Sequence, residues 1–196
     1  MASRDEILAA IRKHQPPVRE PPHLDGAWTI YSDRLAQFAS VLAAIGGGFI
    51  RAADAARADG QLRDLAVYRD AKLIVSTVSG IGQSTVDLAS ISDPHQLETV
   101  DFAVLPGQFG VAENGAIWVT DRNLKHRVIY FIVQHLALVI AADQIVDNMH
   151  QAYERLTFDR AEFGAFIAGP SKTADIEQSL VIGAHGPRSL TVICLG

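Results

Sequence analysis

Cysteine is nearly missing from this chain: Cys194 is the single one in 196 residues. One thiol forms no intrachain disulfide, and alone it cannot hold an iron–sulfur cluster or a cysteine-based zinc site. Cys194 lies in the apolar run Leu190-Thr191-Val192-Ile193-Cys194-Leu195. Its expected role there is a small buried hydrophobe, because a reactive thiol needs a polar, positively polarised setting.

Long apolar runs are lacking too. The most hydrophobic stretch, residues 128–142, is 15 residues long and is interrupted by Gln134 and His135, whereas a membrane-spanning helix needs about 20 apolar residues. The stretch from Met1 to His14 alternates charged and apolar residues without the apolar centre of a signal peptide. A soluble, cytoplasmic protein without a membrane span is expected. Positive charge is not in excess either: the net charge is −5 and the pI about 5.7, which argues against a nucleic-acid binder. Neither G-x-x-x-x-G-K-[ST] nor G-x-S-x-G occurs, so phosphate-loop and hydrolase-elbow chemistry have no support. The histidines do not supply a metal motif. His14, His23 and His95 fall in terminal or loop positions, and His126, His135 and His150 lack the spacing of H-E-x-x-H; no metal site is expected.

What is present suits one domain with a sizeable core, since a chain of this length buries roughly 70% of its unfolded surface. Ile7, Leu8 and Ile11 have helical spacing behind a Ser3-x-x-Glu6 capping box, and Gln15 to Gly26 then holds four prolines. Residues 1–26 therefore read as a helical arm on an extended tether, able to pack on a second copy of the chain, and 27–196 as the domain proper. Within the latter, Asp33 to Ile45, Asp54 to Arg69, Asp143 to Leu156 and Thr173 to Val181 read as helices. Strand character belongs to Phe49-Ile50, Leu73 to Val75, Phe102 to Leu105, Ala116 to Thr120, Leu136 to Ile140, Ala165 to Ile167 and Leu190 to Leu195. Strands interleaved with helices predict an α/β fold with a mostly parallel sheet. Gly46-Gly47-Gly48 follows a helix and precedes a strand, so it is a helix stop and not a nucleotide loop, which needs the reverse order.

Three segments could carry chemistry. In Phe109-Gly110-Val111-Ala112-Glu113-Asn114-Gly115 a carboxylate sits between glycines, where backbone can approach a ligand closely; Asn114-Gly115 is equally an ordinary hairpin turn. In Gly169-Pro170-Ser171-Lys172-Thr173-Ala174-Asp175-Ile176-Glu177 a strand runs through a small-residue turn into a helix start. Backbone N–H groups there could bind an anion, or the turn is simply well capped. In Gly183-Ala184-His185-Gly186-Pro187 a histidine stands in a rigid loop, suited to hydrogen bonding or titration, with a helix-ending turn as the plain alternative.

These residues carry a resemblance. The run from Gly169 to Glu177, followed by Val181, Gly183, His185-Gly186-Pro187 and Leu190, matches the form G-P-S-x-T-A-D-I-E … G-x-H-G-P. It resembles the LUD-domain (lactate-utilisation) family, close to its LutC/YkgG branch, and Ala112-Glu113-Asn114-Gly115 is similar to the family's A-E-T/S-G turn. Strong matches cover roughly residues 101–195, while the first half agrees only in its α/β order and N-terminal arm. The chain departs from the branch before His135, where Val128 to Gln134 lacks the branch's proline; a sibling subgroup is therefore an alternative.

The resemblance implies a fold like that of the NagB/RpiA/CoA-transferase superfamily. It implies a subunit in bacterial oxidation of L-lactate to pyruvate alongside iron–sulfur partner proteins, with the clusters in the partners and no cofactor in this chain. By analogy with the superfamily, Glu113 and His185 become the catalytic candidates. Gly115, Gly169, Ser171, Lys172, Thr173, Asp175 and Glu177 become the candidate ligand-binding residues for a small anionic substrate. The alternatives are a non-catalytic scaffold or regulatory protein, and a stand-alone enzyme of the CoA-transferase or sugar-phosphate-isomerase kind.

Overall fold

A computed structural model of the chain describes residues 3–156, 163–173, 181–183 and 185–196. Helix α1 (Arg4–Lys13) begins with the expected reciprocal cap: the Ser3 hydroxyl accepts the Glu6 N–H, and the Glu6 carboxylate accepts the Ser3 N–H at 2.7 Å. It buries no residue, and residues 15–30 are exposed throughout. Helix α2 (Arg34–Ala44) starts under an Asp33 cap, and it ends where Gly46 N–H reaches Ala43 O and Gly47 N–H reaches Leu42 O. That pair of bonds is a Schellman ending, so the glycines do stop the helix.

Strand β1 (Gly48–Ala52) follows, then α3 (Ala55–Asp64) and α4 (Ala66–Arg69). One helix was expected over Asp54 to Arg69; instead the chain turns extended at Leu65, with ψ 126°. Leu62 and Tyr68 would lie about 120° apart around a continuous helix. The break lets both enter one core, where Tyr68 meets the Phe102 ring edge-on at 5.1 Å.

The remaining elements are β2 (Ile74–Ser76), a 3-10 turn at Pro94–Thr99, β3 (Phe102–Pro106), β4 (Phe109–Val111), β5 (Ala116–Thr120), α5 (Ile129–Ile132), β6 (His135–Ala141), β7 (Ile145–Val146), α6 (Met149–Glu154), β8 (Gly164–Ile167) and β9 (Ser189–Leu195). The helix expected over Asp143 to Leu156 is thus a short strand followed by a short helix. Ile145 and Val146 pair with Gly110 and Val111. Asn148 then caps α6 by accepting the Gln151 N–H at 3.0 Å, and a cap residue is not itself helical. Most of the helix expected over Thr173 to Val181 lies outside the described residues.

Five strands form a wholly parallel sheet in the order β1-β9-β6-β3-β2, and a smaller mixed sheet has the order β7-β4-β5-β8. The fold is α/β, a mostly parallel sheet flanked by helices. Alternate residues of the central strands serve two cores. Ala103, Leu105, Leu136, Leu138, Leu190, Val192 and Cys194 face a cluster shared with α2, α5 and the smaller sheet. Phe102, Val104, Ala137, Val139 and Ile193 face the cluster built by α3 and α4. Because both faces are covered, these strands read as continuous apolar runs. Cys194 is fully buried, and burial pushes its thiol up from the ordinary value; a group so placed packs and does not react.

Candidate functional site

Strands β4 and β5 form an antiparallel hairpin, and Ala112-Glu113-Asn114-Gly115 is its turn. The Gly115 N–H closes the turn on Val111 O at 2.9 Å, and the Asn114 side chain accepts the Ala116 N–H at 3.0 Å. Gly115 has φ +68°, and a Cβ there would stand 3.2 Å from the backbone of Leu42 in α2. Glu113 is exposed at the tip. Its Oε2 accepts the Met149 N–H at 2.8 Å, and its own N–H donates to Asp147 O at 3.0 Å.

The second segment arrives beside the first because β8 pairs with β5, with Ile167 opposite Ile117. Two residues farther on, Gly169 has φ +72°, and a Cβ there would lie 3.0 Å from Ile45 O. Pro170 is buried and packs near Gly46. The turn is tied to the third segment by Ser171 N–H donating to Pro187 O and Gly183 N–H donating to Ser171 O, both at 2.9 Å. Thr173 bonds Val181 through its N–H and through its hydroxyl, while Lys172 stands opposite Ile182.

The first two segments therefore meet at the C-terminal end of α2, on the side of the parallel sheet where β1 and β9 begin, and the third is tied to the second through Ser171. Gly115 and Gly169 both pack on Ile45, Ser171 follows two residues on, and Lys172, Glu113 and His185 are exposed. Asp175 and Glu177 lie outside the described residues. The N–H groups of Ser171 and Thr173 are already engaged, so an anion here would be met mainly by side chains. The Glu113 carboxylate is held by the first N–H of α6, and among the described residues none of its hydrogen bonds goes to His185.

A neighbouring polar pair escaped the sequence reading. Asp147 and Asn148 are 2% and 3% exposed. Asp147 accepts the Tyr31 N–H at 2.9 Å and lies 3.4 Å from Arg34 Nε; Asn148 donates to Thr29 O at 2.9 Å. Trp28 stacks on His150 with ring centroids 3.4 Å apart. The segment from Trp28 to Arg34 is thus fastened to the same short stretch that holds Glu113. The signal available in the sequence was an Asn followed by helix-forming residues, an N-cap pattern.

Among the described residues there is no cluster of three or more His, Cys, Asp or Glu suited to a metal ion, and no helix is long and apolar enough to cross a membrane. His126 Nε2 lies 2.9 Å from Ile91 O, in a structural setting.

The chain is similar along nearly its whole length to curated proteins named lactate utilization protein C. That of Geobacillus thermodenitrificans is 26% identical over 202 residues, covering 97% of this chain and 79% of that protein. That of Geobacillus sp. strain WCH70 is 28% identical, covering 97% and 78%. A shorter match, 33% identical over 97 residues, links it to the protein of the same name from Bacillus pumilus. The fold is shared with the crystal structure of a DUF162 family protein from Deinococcus radiodurans, with a TM-score of 0.59 and 19% identity over 84% of this chain and 98% of that one. The family model for the LUD domain matches residues 84–195, which include all three converging segments. This chain belongs to the LUD-domain family.

Proposed function

We propose that this protein serves the use of lactate as a non-redox subunit, binding L-lactate or a similar small organic acid where residues 113–115, 169–173 and 183–187 converge. The observation that carries the reading is that convergence: residues 113–115 and 169–173, far apart in sequence, meet at the end of α2, and residues 183–187 are hydrogen-bonded to the latter. The exposed side chains of these segments include the Lys172 ammonium, the His185 imidazole and the Glu113 carboxylate, groups able to hydrogen-bond an organic acid. With one buried cysteine, the electron transfer of lactate oxidation falls to iron–sulfur partner proteins. This chain would hold or present the acid.

Titration calorimetry with L-lactate and pyruvate tests the reading on the purified chain and on Lys172→Ala, His185→Ala and Glu113→Gln. Binding should be measurable and should weaken about tenfold or more when Lys172 or His185 is replaced. No heat with either acid, or equal affinity in all three variants, would contradict it.

A specific observation favours a second reading, a scaffold or regulatory subunit. The Glu113 carboxylate ties the hairpin to α6, and the N–H groups of Ser171 and Thr173 close internal bonds. On that reading Glu113→Gln lowers stability and leaves growth on L-lactate unchanged.

A further inference from the structure

A polar cavity of about 500 Å³ lies at the starts of the central strands of the parallel sheet. The strands β3, β6 and β9 lie side by side, and the residues at their starts come together by register: His135 pairs with Phe102 on one side and Ser189 on the other. Asp101, Gln134, His135 and Arg188 consequently line one rim, and Asp70 and Glu98 stand on the other walls.

The charges in this cavity are unusual in being kept apart. Three carboxylates and a guanidinium line it, yet among the described residues Arg188 forms no ion pair with any of them. Asp101 is pinned instead by the N–H groups of Lys72 and Leu73, at 2.8 and 2.9 Å, and the Leu73 bond above all holds its carboxyl below the ordinary range. The His135 Nδ1 lies 2.8 Å from Ser189 Oγ. Burial first, and Arg188 second, push this imidazole below its ordinary value, toward the neutral form that both donates and accepts. Asp70 and Glu98 have no cationic side chain paired with them among the described residues.

Unlike charges separated around a cavity complement a small molecule that carries both charges itself. A simple anion would meet more negative than positive charge here, and a simple cation would leave the Arg188 fork unmatched. We propose that this cavity is a binding site for a free α-amino acid, with its carboxylate on Arg188 and His135 and its ammonium toward Asp70 and Glu98. The site does not rest on the lactate reading and shares no residue with it, although Gly183 of that segment packs against Arg188.

The test is a thermal-shift screen of the full chain against each standard L-α-amino acid at about 10 mM, followed by calorimetry on those that shift it. At least one amino acid should raise the melting temperature. Its affinity should fall about tenfold or more in Arg188→Gln and in Asp70→Asn/Glu98→Gln, and should be unchanged in Glu113→Gln. L-lactate at the same concentration, and the amine lacking the carboxylate, should both bind more weakly at this site. All the altered side chains except Glu113 line the open cavity, and circular dichroism verifies that each variant is folded. No shift with any amino acid, equal binding of the bare amine, or binding that survives both cavity variants would overturn the proposal. Loss of L-lactate binding in Lys172→Ala bears only on the other site.

Discussion

Gly169 shows how a residue that looks like ligand chemistry in sequence can first be demanded by packing. Its φ of +72° and the Ile45 carbonyl 3.0 Å from a would-be Cβ allow no side chain. Gly169→Ala should therefore lower the unfolding free energy by about 1–3 kcal/mol in urea denaturation. Gly60 provides the contrast: it sits inside α3 with nothing within 4 Å of its would-be Cβ, so Gly60→Ala should raise stability by about 0.5–1 kcal/mol. The sequence marks both as glycine and cannot tell them apart, because φ and the approach of another element are set by tertiary contact. His135 carries a pH prediction. Its folded-state pKa is depressed below 6.5, so the unfolded chain takes up the proton first as pH falls. The stability this group contributes is full above pH 6.5 and declines as pH drops through the folded value. Stability measured against pH should be flatter below 6.5 in His135→Gln than in the parent protein.

At the scale of elements, legibility followed length and burial. The strands of the parallel sheet were readable as apolar runs because both their faces are covered, and α1 and α2 were readable from Ser3, Glu6, Asp33 and the glycines at 46–48. The smaller sheet was only half seen. Phe109-Gly110-Val111 passed for part of a turn, and Ile145-Val146 for the start of a helix, since strands of three and two residues are too short to show a period. The break at Leu65 was hidden for the same reason: helix propensity continues through it, and only the shared core turns the chain. The N-terminal elements differ in what they hold. Among the described residues, 3–14 include no buried side chain, so deleting residues 1–14 should leave the melting temperature unchanged. Extending the deletion through Tyr31 also removes the Trp28–His150 stack and the backbone partners of Asp147 and Asn148. That leaves two buried polar groups short of partners, and stability should drop by about 2–5 kcal/mol, beyond the cost of either group alone.

For the molecule as a whole, the layered arrangement explains why distant motif segments meet. The smaller sheet shares an apolar cluster with one face of the parallel sheet, α2 adds Phe38 and Leu42 to it, and the end of α2 becomes the place where residues 113–115 and 169–173 arrive together. The candidate residues Glu113, Gly169, Ser171 and His185 were legible because their motifs are compact in sequence. Asp147, Asn148 and the Arg188 cavity were not, because each is assembled from segments that only folding brings together. In open parallel sheets ligands usually bind beyond the carboxyl ends of the strands, whereas the motifs here gather where β1 and β9 begin. Where an organic acid binds therefore distinguishes this fold from the usual arrangement. The most direct measurement is an amide ¹H–¹⁵N spectrum of the labelled chain recorded as L-lactate is added. Shifts concentrated in residues 113–115, 169–173 and 183–187 are the expected result; no shifts, or shifts confined to another part of the fold, would contradict it.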